Sequence, residues 1–256
     1  MKKNMSYFEN PKSRNYWHFF SNIVTIVTIL LLVISVMGFR FEIFSFIFSL
    51  LTLTKYAIYT SLMALLLSLI AFGNILAKST FLAILNVFFN IIINIIVVTY
   101  LFNSIISLKS NPVINDISTN YDDVLEFKMY KKHNFHTDKH ILLQKYGGFK
   151  QPNSAIMPLQ INNKTLLETF KASENALNNM GLKITYSNLE EGLIEAVESS
   201  FWYGYKDDII IRIERLISDD IKIDIRSASR IGKSDFGVNS IRIKAVLEKI
   251  SSNLKD

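Results

Sequence analysis

Apolar residues along this chain follow two different rhythms. Three long runs are apolar on every side: Trp17 to Phe39, Tyr56 to Leu76, and Phe81 to about Ile106. Each reaches the roughly 20 residues that a helix needs to cross a hydrocarbon core of about 30 Å. Between the first two lies FEIFSFIFSLLTLTK, bounded by Arg40, Glu42 and Lys55. Its uncharged part, residues 43–54, is too short for a span and is read as interfacial or re-entrant. After Gly38 the chain continues Phe-Arg-Phe-Glu rather than into a small-residue cleavage site, so the first run reads as an uncleaved anchor.

Beyond the third run the rhythm changes. Residues 107–161 are polar and poorly periodic and read as linker and loops. Asn163 then caps a helix whose apolar stripe is Leu166, Phe170, Leu177 and Met180, with Gly181 as its stop. Four strand-like segments follow: Leu182 to Asn188, Gly192 to Trp202, Asp208 to Leu216 and Asp220 to Ser229. A last helix from Ser234 carries Phe236, Ile243, Leu247, Ile250 and Leu254 on one stripe. Short connections between the strands favour an antiparallel meander, since parallel neighbours need long crossovers. The predicted fold class is α+β: three N-terminal transmembrane helices, then a two-layer α-β-β-β-β-α domain (residues 162–256) with an antiparallel sheet and both helices on one face. Alternation points Ile209, Ile211, Ile213, Ile221, Ile223 and Ile225 at the helices. It leaves Arg212, Glu214, Lys222, Asp224 and Arg226 on the other face, predicted to be open and charged.

Charge orients the membrane half. Lys2, Lys3, Lys12 and Arg14 precede the first span against Arg40 and Lys55 after it, which places residues 1–16 in the cytoplasm. Three crossings put the C-terminal domain on the opposite side, the periplasm or exterior of a bacterial cell; a fourth crossing by residues 43–54 would reverse this. Residues 1–103 hold seven Lys/Arg against two Asp/Glu, and the rest is nearly balanced. The pI near 9.3 therefore belongs to the membrane half, and nucleic acid, which needs a basic folded surface, is not an expected partner. The bilayer is one partner, and an envelope protein or an anionic ligand is the other. No cysteine occurs, so disulfides, thiolate catalysis and Cys-ligated metals are excluded.

Within the spans, Ser21, Thr25 and Thr28 share one helical stripe and Asn86, Asn90 and Asn94 another. No Asp, Glu, Lys or Arg lies inside a span, so these stripes read as hydrogen bonding between helices rather than as a transport path. His133, His136 and His140, with Asp138, have helix-compatible ligand spacing, but no apolar face would hold such a helix, and no metal or cofactor is assigned.

Candidate chemistry collects in DIRSASRIGKSDFGVNSIR, Asp224 to Arg242. Gly232 permits a sharp strand-to-helix turn, after which Asp235, Asn239 and Arg242 share one helical face. Arg230 and Lys233 stand beside the helix N-terminus, where free N–H groups and cations suit a phosphate or carboxylate. The opposing reading is structural, with Asp235 capping the helix and Arg242 returning to bond it or a loop carbonyl. The letters GKS do not make a phosphate loop, because position 227 is serine where that motif needs glycine. No catalytic residue is assigned.

Three stretches, NPVINDIST (Asn111 to Thr119), YGYKDDIIIRI (Tyr203 to Ile213) and DIRSASRIGKSDFGVNSIRI (Asp224 to Ile243), resemble domain-of-unknown-function family 1499, whose members often follow several membrane helices. The resemblance spans most of residues 111–250. It implies motif positions at Asp208, Arg226, Ser229, Arg230, Gly232, Asp235, Gly237, Asn239 and Arg242, and it carries no activity. Arg226, Ser229, Arg230, Gly232, Asp235, Asn239 and Arg242 are the candidate ligand-binding residues, with Asp208 and Gly237 as structural positions. Where the family pattern has a histidine, this chain has Asn115.

Overall fold

A computed structural model describes residues 16–75, 80–110, 114–132, 156–232, 234–235 and 237–255. The basic residues before Arg40, the histidine cluster 133–140, Lys233 and Phe236 lie outside them. The chain divides into two compact units, Met1–Asn103 and Ser104–Asp256.

In the first unit, α1 (Tyr16–Arg40), α2 (Thr54–Ile75) and α3 (Phe81–Ser110), the last as far as Asn103, form a helical assembly. Residues Ile47–Leu53, read from the sequence as a separate interfacial piece, wind as a π-helix directly into α2. Three helices are long and apolar enough to cross a membrane: Tyr16–Arg40, Ile47–Asn74 and Phe81–Asn103.

Both polar stripes face neighbouring helices. Asn94 donates to the Thr25 hydroxyl (2.9 Å) and accepts from Ser61 (3.0 Å). Asn90 donates to Ser21 (3.3 Å) and to Asn22. Ser21 meets Ser68 at 2.6 Å and Thr28 donates to Thr60 at 2.9 Å. His18 hydrogen-bonds Asn86 (2.9 Å). In an apolar medium a polar side chain without a partner is costly, so these mutual bonds explain why the stripes point inward.

The second unit is a six-stranded antiparallel sheet: β1 (Asp116–Ser118), β2 (Leu159–Ile161), β3 (Lys183–Asn188), β4 (Leu193–Ser199), β5 (Lys206–Arg215) and β6 (Ile221–Ser229). Strands β3 to β6 form the expected meander, while β1 and β2 both pair antiparallel to the outer edge of β6. Helices α4 (Leu166–Asn179) and α5 (Val238–Asn253) cover one face. The odd-numbered isoleucines from 209 to 213 and from 221 to 225 pack there against Phe170, Leu177, Ile243, Val246 and Ile250. Each such fully buried side chain contributes about 1.5–3 kcal/mol, which makes this layer the main source of stability.

Four details differ from the sequence reading. The cap of α4 is Thr165, not Asn163: its hydroxyl accepts from the Glu168 N–H, and the Glu168 carboxylate accepts from the Thr165 N–H at 2.8 Å. This reciprocal box satisfies two donors and outcompetes a single Asn cap. Helix α5 begins at Val238, four residues after the expected Ser234. The supposed linker supplies β1 and β2, whose three-residue length shows no period in the sequence. Most consequentially, the far face of the sheet is not open. Residues 119–132 cross it, and Leu125 and Phe127 pack against Ile210 and Ala228 to make a second small core.

Candidate functional site

The motif residues converge on one end of the sheet, where β6 ends, β5 begins and α5 starts. They fall into two layers, one on each side of β6.

On the far face, Arg226 is 3% exposed and Asp224 fully buried, which corrects the expectation that both are merely solvated. Arg226 makes a fork onto Asp116, with Nε to Oδ1 at 2.9 Å and Nη2 to Oδ2 at 2.7 Å. It also donates to the Leu125 carbonyl and stands 4.9 Å from the centre of the Phe127 ring. Arg230 makes the equivalent fork onto Asp208, at 2.8 and 2.7 Å, and lies over the Tyr130 ring at 4.2 Å. Asp116 and Asp208 both pair with Ala228, one from each neighbouring strand. Two arginines four residues apart, Arg226 within β6 and Arg230 just past its end, thus bind β1 and β5 diagonally across that alanine. Asp208 holds the Arg230 guanidinium in its charged form beyond the ordinary arginine range, outweighing partial burial. Farther along, Asp224 accepts from Arg212 (2.7 Å) and Lys222 (2.9 Å).

On the helix face, Arg242 reaches from α5 to β4 and β5, pairing with Glu198 and with Asp207 at 2.6 Å. Its remaining nitrogen donates to the Ser227 hydroxyl (2.9 Å) and to Asn239. Asn239 accepts from Ser227 (2.8 Å) and donates to the Asn115 carbonyl (2.9 Å) and to Ser229 (3.1 Å). Asn115 in turn donates through its side chain to the Gly232 carbonyl at 2.6 Å, which ties the chain entry to the β6–α5 loop. Gly232 and Gly237 both adopt positive φ, at 97° and 85°, a backbone conformation that glycine reaches at no steric cost.

Asp235 accepts from the N–H groups of Gly237 (2.9 Å) and Asn239 (2.8 Å). The N-cap position itself is Gly237, and Asp235 accepts the N–H groups of the first turn from two residues before it, whereas Arg242 bonds two carboxylates rather than Asp235. Burial raises the Asp235 pKa above its ordinary value against the opposing pull of these two N–H groups. The folded chain therefore keeps this proton to higher pH than the unfolded chain does. As pH rises above about 3.8 through the raised folded pKa, the charge forms in a buried site and its contribution to stability declines. Asp235→Ala is expected to lose about 1–2 kcal/mol through the missing cap, and Asp235→Asn to remove this part of the pH slope. Thermal melting of the full chain in detergent across acidic pH checks both; an unchanged midpoint for the alanine variant would defeat the capping role.

The predicted set is thus brought together in space but not into one cluster, since Arg226 and Arg230 face away from Asn239 and Arg242. Sequence reasoning missed Asp116, Glu198 and Asp207, and it gave Asn115 no bonding role. Asp207 carried a usable signal: it shares a strand face with Ile209, Ile211 and Ile213, where a charge requires a partner.

Fold and site define a class: an α+β domain, following three membrane-type helices, whose strand ends are locked by arginine–carboxylate pairs. The chain belongs to the family described as Protein of unknown function (DUF1499), whose model matches residues 114–250. No curated protein matches it.

Proposed function

We propose that this is a membrane-anchored envelope protein whose α+β domain lies on the side of the bilayer opposite residues 1–16 and recognises an envelope ligand or protein partner without catalysis. The observation that carries the non-catalytic reading is the engagement of the motif side chains. Arg226, Arg230 and Arg242 each bind carboxylates of the same domain, and both oxygens of Asp235 bind backbone. A hydrolase or transferase acting on an anion at Arg230, Asp235 and Arg242 needs guanidinium groups turned toward one substrate. Here Arg230 and Arg242 turn to opposite faces of the sheet, each toward its own aspartate.

The placement rests on the count of three spans and on the basic residues before the first. Alkaline phosphatase and green fluorescent protein fused in turn after Asp256 test it. Phosphatase activity with a dark fluorescent fusion is expected; the reverse pattern overturns the placement. Inorganic phosphate tests the non-catalytic reading: it is expected to leave the melting midpoint of the full chain unchanged, and stabilisation that Arg230→Ala abolishes would favour the anion-processing alternative.

A further inference from the structure

The same end of the sheet carries exposed apolar side chains. The β4–β5 turn holds Phe201, 81% exposed, and Trp202, 59% exposed, with their rings edge to face at 5.2 Å. Ile231 in the β6–α5 loop and Val238 and Ile241 on the first turn of α5 are exposed beside the strand ends. Register places them together: Ser199 pairs with Lys206 at the end of β4, Asp207 pairs with Ser229 at the end of β6, and the Arg230 N–H donates to the Lys206 carbonyl. Scattered exposed apolar residues need no explanation, but a group containing two aromatic rings at one end of a domain does.

Chain path bears on what could cover them. The Asp235 N–H donates to the Ile114 carbonyl and the Ser229 N–H to the Asn115 carbonyl, so the chain enters the domain at this end. Helix α3 has 30 residues, about 45 Å at 1.5 Å per residue, which matches a bilayer of about 40–45 Å including headgroups. Its last residue, Ser110, is therefore within reach of the headgroup boundary. From there three residues, spanning at most about 3.5 Å each, lead to Ile114. Covalent connection thus limits how far this entry point can lie from the end of α3. Tryptophan and phenylalanine beside a lysine, here the exposed Lys206, are the side chains that partition into the water–lipid boundary, with the rings below the headgroups and the cation among the phosphates.

We propose that Phe201 and Trp202, flanked by Ile231, Val238 and Ile241, insert into the outer boundary of the bilayer and hold the domain against the lipid surface. This rests on α3 spanning the membrane and is independent of what the domain recognises.

Trp202 is one of two tryptophans, the other being Trp17, so Trp17→Phe in the full chain isolates its emission. The protein is reconstituted into phosphatidylcholine–phosphatidylglycerol vesicles in which the phosphatidylcholine is brominated near the top of the acyl chain. Emission is expected to be blue-shifted, to fall about twofold in brominated lipid, and to resist aqueous acrylamide, as for a ring about 5–10 Å into the headgroup–acyl boundary. Quenching by acrylamide without quenching by bromine overturns the proposal. Protection from both also overturns it, because a protein partner or a second copy would then cover the rings. If Trp17→Phe does not fold, the difference in quenching between the natural chain and Trp202→Phe gives the same reading.

Discussion

Arg226→Ala is expected to be the most damaging single change to the domain outside its isoleucine layer, at a cost of about 3–5 kcal/mol. The guanidinium sits under residues 119–132, and its removal strands the Asp116 carboxylate, whose side chain is only 5% exposed. Desolvating a carboxylate without its cation costs several kcal/mol, far more than the net worth of the intact pair. For a domain of this size that is a fall of roughly 10 °C or more in the melting midpoint, at about 2–4 °C or somewhat more per kcal/mol. The double change Arg226→Met with Asp116→Leu is expected to recover most of the loss, because both charges then leave the site together. Melting of the full chain in detergent reads both. A near-neutral Arg226→Ala would mean that water reaches the pair and that the covering segment is not closed over it.

Arg242→Ala is expected to cost about 2–4 kcal/mol. One guanidinium satisfies Asp207, Glu198, Ser227 and Asn239 between the sheet and α5, so its loss leaves several groups short at once. Glu198, at 42% side-chain exposure, can turn to water, whereas Asp207, at 16%, is more confined. Arg242→Lys is expected to recover only part, because a lysine is a point charge without the planar fork that reaches two carboxylates. Arg230→Ala also strands a buried carboxylate, Asp208 at 5% side-chain exposure, but Arg230 itself is 23% exposed, so water can take its place, and the expected cost is about 1–3 kcal/mol. The order 226, then 242, then 230 is the diagnostic outcome. A reversed order, with Arg230 the most sensitive, would contradict burial as the determinant.

These costs arise from a feature that alternation cannot reveal. Period-two isoleucines told which side of β5 and β6 meets the helices, and the structure agrees at every one of the six. The same alternation assigned Asp224 and Arg226 to the other side, also correctly. What it could not tell is whether that side meets water or protein, because a polar residue facing solvent and a polar residue facing a buried partner have the same spacing. The answer lay in residues 114–132, where a strand of three residues and an irregular crossing produce no period at all. Asp116 was invisible for that reason, although it is the partner that makes Arg226 a buried residue. The capping of α4 failed on a finer point, a choice between Asn163 and Thr165 that depended on a reciprocal bond with Glu168.

Local chemistry was enough for the three helices long and apolar enough to cross a membrane, the α+β class, the antiparallel meander and the inward isoleucine layer, since each follows from the period and length of apolar runs within one segment. Long-range contacts alone decided the pairing of β1 and β2 with β6, the closing of the far face, and the division of the arginines between Asp116, Asp208 and Asp207. The partners of Arg226 are separated from it by about a hundred residues, and no rule of local spacing relates two positions so distant until the chain has folded them together.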